Sequence, residues 1–322
     1  MRFQSLSDKP YQRACLLPVE EELKKRGHTI LQGERIPFSK DEIDGTLIAS
    51  VLYLNPGIVH TLKRPVFFMP HGVAVVKTTL YQLHTKTDYM LMTGSIWKER
   101  MAYLFPKYKN NIEVGFPKSD ELVNGKSTRE QVINELGLDP KEPIVIFAPS
   151  WDDKDAKRKG SIDALPKVEA LGFKNLLICL HEYDKMFHKL DGKKIIKQPN
   201  KNKYLLAADL LIGDISSIMI EFAILDKPMV QIDMTGNRHH YGIWEEPIPH
   251  YGVFQIGEFA TPDDLPRAVK GALNDPNKYK FLREYWKWRS FYNLGNATKA
   301  SADAIENLTG SYELKKRRVF FF

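Results

Sequence analysis

No apolar run in this 322-residue chain approaches the ~18–20 residues that a membrane-crossing helix needs. Its opening, MRFQSLSDKPYQRAC, has no continuous apolar stretch of the kind that marks a secretion signal, so the expected location is the cytoplasm. Only two cysteines are present, Cys15 and Cys179, too far apart in sequence to suggest a disulfide framework or a zinc spacing. The GxxxxGK[ST] phosphate loop, the dinucleotide GxGxxG, the GxSxG of serine hydrolases and the HExxH of zinc proteases are all missing. Those absences remove the common nucleotide-hydrolase, dehydrogenase, serine-hydrolase and zinc-protease readings. Internal repeats and low-complexity segments are missing too.

What is present is the make-up of a soluble globular protein. With 43% hydrophobic and 27% charged residues, the chain has room for two cores, in domains of roughly 150 residues each. The net charge of +7 is partly local. Lys193, Lys194, Lys197, Lys201 and Lys203 cluster in one region, and Lys315, Lys316, Arg317 and Arg318 precede Phe320, Phe321 and Phe322. A basic run beside aromatics suits an anionic membrane surface, where each cation near the headgroups contributes ~1 kcal/mol. Nucleic-acid phosphates satisfy the same charge logic, but no aromatic–basic recognition motif supports them. A solvated, disordered end is the plain alternative for the tail.

Strand-like runs alternate with helical patterns, which is the signature of parallel sheets with crossover helices. Strands are expected at 46–49, 66–69, 88–92, 112–114, 144–148, 175–180, 210–212 and 229–232. Helices are expected at 15–26, 128–136 (with Ser127 as cap and Gly137 as stop), 162–171, 201–207, 217–225, 263–274 and 298–308. The chain turns polar around 120–128, which places the boundary between an N-terminal domain, 1–126, and a C-terminal domain, 127–322. The last helix is a candidate to cross back onto the first domain. A single large doubly wound domain is the alternative.

The most informative segment is 207–233, AADLLIGDISSIMIEFAILDKPMVQID. It reads as a strand, a tight turn at Gly213-Asp214, a helix opening on Ser216-Ser217, and a second strand. In a parallel sheet this puts backbone N–H groups and two short hydroxyl donors at the carboxyl edge, a ready place for a diphosphate. Glu221, a turn into that helix, is placed to accept from a ribose hydroxyl. An ordinary N-cap explains Asp and Ser at such a position equally well.

Six segments widen this view: MPHG (69–72), GFPKSDEL (115–122), IVIFAPSWDD (144–153), LLICLH (176–181), GDISSIMIEF (213–222) and NLGNATKASADAIENL (293–308). In this order they resemble the CDP-glycerol glycerophosphotransferase family, the teichoic-acid primases and polymerases and their capsule-building relatives. The family pattern runs from HGT through GYPRxD, YAPTW, RxHP and DYSS to a late DGxAS. Here Val73 replaces the threonine, Lys118 the arginine and Glu182 the proline, while Asn293 and Gly295 stand where DG would.

The resemblance implies an α/β fold of glycosyltransferase-B (GT-B) type, two Rossmann-like domains facing a cleft. It also implies a reaction in which an acceptor hydroxyl attacks the β-phosphorus of a CDP-activated polyol and expels CMP. His71, at the end of the strand PVFFM and directly before Gly72, has the residue type to take a proton from an alcohol; the resemblance makes it the base. A structural turn histidine is the other reading. Gly72 and Lys77 would face the acceptor, although Lys77 also reads as a solvated lysine. The resemblance implies that His181 contacts the donor phosphates and that Ser150 and Trp151 face the nucleotide. Stacking on the base and packing beneath the loop remain open for Trp151. Asp214, Ser216, Ser217 and Glu221 complete the donor set.

Asp152 and Asp153 are contiguous rather than spaced as a metal-binding DxD, and neither a required metal nor a cofactor is expected. A sugar transferase of the same fold with a nucleotide-sugar donor is the rival, with a nucleotide-sugar epimerase as a weaker form of it. A nucleic-acid-binding module is the rival from another class.

Overall fold

Short apolar runs buried on both faces are what a fully covered parallel sheet requires, and this chain builds two such sheets. The computed structural model describes residues 1–33, 43–49, 62–73, 86–125, 127–150, 160–181, 190, 192–233 and 255–312. Its strands are β1 Arg2–Leu6, β2 Thr29–Gly33, β3 Gly45–Ile48, β4 Val66–Phe68, β5 Tyr89–Met92, β6 Asn111–Glu113, β7 Ile144–Ala148, β8 Asn175–Ile178, β9 Leu210–Gly213, β10 Met229–Ile232 and β11 Glu258–Ala260. The helices include α1 Pro10–Lys25, α2 Ser95–Leu104, α3 Arg129–Leu136, α4 Ser217–Ala223, α5 Leu265–Asn274, α6 Lys280–Ser290 and α7 Ala297–Gly310. Two compact units result: Met1–Asp120 together with the chain from Arg289 onward, and Glu121–Trp288.

In unit 1 the strand order is β2-β1-β3-β4-β5-β6, with every pair parallel. Leu16, Val19 and Leu23 of α1 and Ala302 and Ile305 of α7 cover the face made by Phe3, Leu47, Phe67 and Leu91. α1 starts five residues before the expected position 15. Pro10 fits the first helical turn, where no backbone N–H is needed, and the Gln12 side chain accepts from Lys9 N at 3.2 Å.

The segments 115–120 and 293–308 form a single clasp in this unit. Gly115 has φ +96°, and a Cβ there would lie 2.1 Å from the Tyr292 carbonyl oxygen, so only glycine lets the two backbones meet. The Asn293 amide donates to the carbonyls of Glu113 and Val114, both at 3.2 Å. The Asp120 carboxylate accepts from Ala297 N at 3.0 Å and Thr298 N at 2.7 Å, capping α7 from a distant part of the chain. A cap of this kind contributes ~1–2 kcal/mol.

Unit 2 has the order β11-β10-β9-β7-β8, again parallel throughout. Val145, Phe147, Ile178, Leu210, Ile212, Val230 and Ile232 pack with Leu265, Ala268 and Val269 of α5. α3 is capped by Thr128 rather than by Ser127: the threonine hydroxyl accepts from Gln131 N, and the Gln131 side chain returns the bond. Gly137, at φ 60°, ends it in the left-handed conformation.

Candidate functional site

The carboxyl edge of each sheet collects the residues of interest. In unit 1, β4 leaves the sheet through Met69 and Pro70 into His71. The His71 Nδ1 lies 3.2 Å from the carbonyl oxygen of Ala49, which follows the neighbouring strand β3. A carbonyl only accepts, so Nδ1 carries the hydrogen in this bond, and in a neutral ring the basic lone pair would be on Nε2. The ring of Tyr11, from the first turn of α1, meets the imidazole edge-on with centroids 5.2 Å apart. The Cys15 thiol donates to the His71 carbonyl at 3.4 Å and to the Tyr11 carbonyl at 3.3 Å. Beyond Gly72, the buried Val73 accepts at its carbonyl from the Trp97 indole N–H of α2, at 3.2 Å. Strand end, first helical turn and α2 together fix the backbone on both sides of the histidine. Lys77 lies outside the described residues.

In unit 2, Ser150, His181 and the turn 213–217 leave three adjacent strands, β7, β8 and β9, at the same edge. Gly213 ends β9, where a Cβ would come within 2.7 Å of the Met219 sulfur and 3.0 Å of the Ala148 carbonyl oxygen; glycine lets α4 fold back this tightly. Asp214 is 1% exposed. Its Oδ2 accepts from Ser150 N (2.8 Å), Ser150 Oγ (2.8 Å), Ser161 N (3.0 Å) and Ser161 Oγ (2.9 Å). Its Oδ1 accepts from Ser216 N at 3.2 Å, and its backbone carbonyl accepts from the Gln231 amide at 3.1 Å.

The expectation of a ligand-facing Asp214 is therefore replaced by a carboxylate committed inside the protein. Ser150 spends its hydroxyl proton on that carboxylate. Ser216 is the N-cap residue of α4 in extended conformation, and its hydroxyl makes no capping bond, so the ordinary-cap reading of this serine fails. Ser216 and Ser217 are half-buried at the edge, and Glu221 is buried within α4. His181, half-buried, follows Cys179, whose N–H donates to the Phe147 carbonyl at 2.8 Å and thereby ties the end of β8 to β7. Trp151 lies outside the described residues.

Sequence reasoning missed Tyr11, Cys15 and the Ala49 carbonyl around His71, and Ser161 and Gln231 around Asp214. Each is joined to its partner by tertiary contact alone; Ser161 stands 53 residues from Asp214. Among the described residues no group of three or more His, Cys, Asp or Glu side chains comes together as a metal site.

Residues 69–241 match the model of a family described as CDP-Glycerol:Poly(glycerophosphate) glycerophosphotransferase. The teichoic acid poly(glycerol phosphate) polymerase of Bacillus spizizenii is 25% identical over 166 residues, 45% of this chain and 41% of that protein. The teichoic acid glycerol-phosphate primase of Bacillus subtilis is 23% identical over 241 residues, 70% of this chain and 59% of that protein. The chain thus spans well under two thirds of the length of these relatives. Among solved structures, the wall teichoic acid polymerase TagF superposes with a TM-score of 0.73 at 16% identity, over 96% of this chain and 88% of that one. A UDP-GlcNAc 2-epimerase from Neisseria meningitidis gives 0.60 at 13% identity, over 95% of this chain and 100% of that one. These likenesses show the fold: two parallel-sheet α/β units of the GT-B type, as the sequence led us to expect.

Proposed function

The chain belongs to the CDP-glycerol:poly(glycerophosphate) glycerophosphotransferase family, and from that membership we propose that it transfers glycerol phosphate, or a related polyol phosphate, from a CDP-activated donor. The acceptor is a hydroxyl on a glycan or polyol-phosphate chain, and CMP is released. Unit 1 holds the acceptor, with Gly72 and Lys77 beside it, and unit 2 holds the donor. His71 Nε2 takes the proton of the acceptor hydroxyl. The oxygen attacks the β-phosphorus, the new P–O bond forms, and the bridging bond to CMP breaks. Ser216 and Ser217 donate to the diphosphate, His181 offsets the charge that grows on the departing CMP, and Trp151 and Glu221 contact the nucleoside. Catalysis is then chiefly positioning and charge stabilisation.

The observation that carries this reading is the placement of His71 at the end of β4, with its Nδ1 3.2 Å from the Ala49 carbonyl oxygen. An Nδ1–H bound to the Ala49 carbonyl leaves the ring with its base at Nε2, as an alcohol-activating histidine requires. Incubation with a panel of labelled CDP-polyols and UDP-sugars tests it. CMP and a polyol-phosphate-extended acceptor are the expected products; release of UDP with transfer of a sugar would favour a glycosyltransferase instead.

Peripheral association with the inner face of an anionic membrane belongs to the same proposal. No helix of the described residues is long and apolar enough to cross a bilayer. The basic–aromatic tail, 315–322, lies outside the described residues. Support comes from α6, where Phe281, Tyr285 and Trp288 share one helical face at 75%, 38% and 69% exposure, with Lys280 and Lys287 on the same helix. Aromatics of this kind sit at headgroup depth while the lysines meet the anionic surface. Replacing Phe281 and Trp288 by serine is expected to reduce sedimentation with phosphatidylglycerol vesicles several-fold, and removing 314–322 to reduce it further. Equal binding by all three proteins would reject the membrane reading.

A further inference from the structure

We propose that Asp214 and Ser161 are positioning residues for donor binding. The Asp214 carboxylate gathers Ser150 and Ser161 onto one oxygen and thereby fixes the Ser216–Ser217 turn that receives the diphosphate. This inference rests on the reading of that turn as the diphosphate site.

Burying a carboxylate is expensive unless its oxygens are fully hydrogen-bonded, and a simple packing position is filled more cheaply by an uncharged residue. Here the carboxylate accepts from five neutral donors, four on Oδ2 and Ser216 N on Oδ1. Those donors come from the end of β7, from Ser161 at the start of a short 3-10 turn, and from the N-cap of α4. A fourth element joins through Gln231 of β10, whose amide holds the Asp214 carbonyl while its own oxygen accepts from Ile256 N at 3.3 Å.

The arrangement directs the Ser216 N–H inward to Oδ1 and leaves the Ser216 hydroxyl uninvolved in capping. The serine turn is thus held by its backbone at Ser216, and Ser216 and Ser217 are half-buried at the sheet edge. Ser161 is 0% exposed, so it acts on a ligand only through the carboxylate it binds. Without the Ser161 hydroxyl, Oδ2 loses one of its four donors and the carboxylate gains freedom to swing away from Ser216.

A double-mutant design on the full chain tests this, with CDP as the probe and calorimetric affinity as the readout. In the otherwise unchanged protein, Ser161→Ala is expected to weaken CDP about tenfold, the scale of one lost charged hydrogen bond. In the Ser216→Ala/Ser217→Ala background the same change is expected to do less than about twofold, because its effect passes through those serines. Ser161→Thr and Ser161→Val form a near-isosteric pair differing by the hydroxyl; threonine is expected to retain affinity and valine to lose it.

Equal weakening in both backgrounds, no weakening at all, or equal affinity of the threonine and valine variants would overturn the inference. Those outcomes are distinct from a failure of the underlying reading. If the unaltered chain does not bind CDP at millimolar concentration, the nucleotide assignment falls first and the positioning role falls with it.

Discussion

His71→Ala is expected to lower turnover by the ~10²–10⁴-fold typical of a lost general base, with the fold intact by circular dichroism. The size of the effect follows from how His71 is held by its hydrogen bond to the Ala49 carbonyl. The Nδ1 contact with that carbonyl and Tyr11 edge-on to the ring fix the orientation of the imidazole. Alanine removes the base and keeps the backbone that Cys15 and Val73 fix on either side.

Donor affinity should barely change, because every residue proposed to hold the donor belongs to unit 2. The pH profile adds a second check. A base must be unprotonated to act, so kcat/KM of the unaltered enzyme rises as pH climbs through the titration of the imidazole, and His71→Ala should lose that acid limb. His181→Ala should behave differently, weakening the use of donor, since its proposed partner is the donor phosphate. A folded His71→Ala enzyme running near the unaltered rate would dismiss the mechanism while leaving the fold untouched.

The parts of this fold that the sequence announces are those whose stability is local or purely apolar. GTLI, VFF, IVIFA, LLIG and MVQI are buried along their whole length, and a mostly apolar run, broken by no more than one polar residue (Thr46 or Gln231), marks each of them. β1, RFQSL, escaped notice because Gln4 and Ser5 interrupt the run. Their buried polar groups are satisfied by Arg64, sixty residues on, and by Glu20 of α1, neither of which is visible in the strand itself. α6 escaped for a related reason. One of its core-facing positions is Arg283, 2% exposed, which pairs with Asp226 and the Pro276 carbonyl, while its aromatics Phe281 and Trp288 face outward. The helical apolar period is therefore inverted.

The candidate site follows the same division. His71 and the serine turn were legible because strand ends, glycine and small hydroxyls mark a sheet edge in the sequence. The use made of Asp214 was not, since a carboxylate that caps locally and one that binds serines 53 and 64 residues away look alike in a string of letters.

The second large effect is expected at the serines themselves. Ser216→Ala with Ser217→Ala should weaken nucleotide binding and abolish the thermal protection that a CDP-containing ligand gives. Each hydroxyl bonded to a charged phosphate oxygen is worth ~1.5–3 kcal/mol, so two amount to ~3–6 kcal/mol. At ~1.4 kcal/mol per decade that is about 10²–10⁴ in affinity. The fold should survive the change. The Ser216 hydroxyl makes no capping bond, and the turn is held through the Ser216 backbone N–H and the Asp214 carbonyl, which alanine leaves in place. Gly213 still gives α4 room to fold against β7. The loss should therefore appear in CDP affinity and in KM for the donor, with acceptor KM unchanged, which is the reverse of the pattern expected for His71→Ala. A double variant that is folded and binds CDP as tightly as the unaltered chain would mean that the diphosphate rests elsewhere on the sheet edge, and Ser216 and Ser217 would revert to ordinary residues of a helix start.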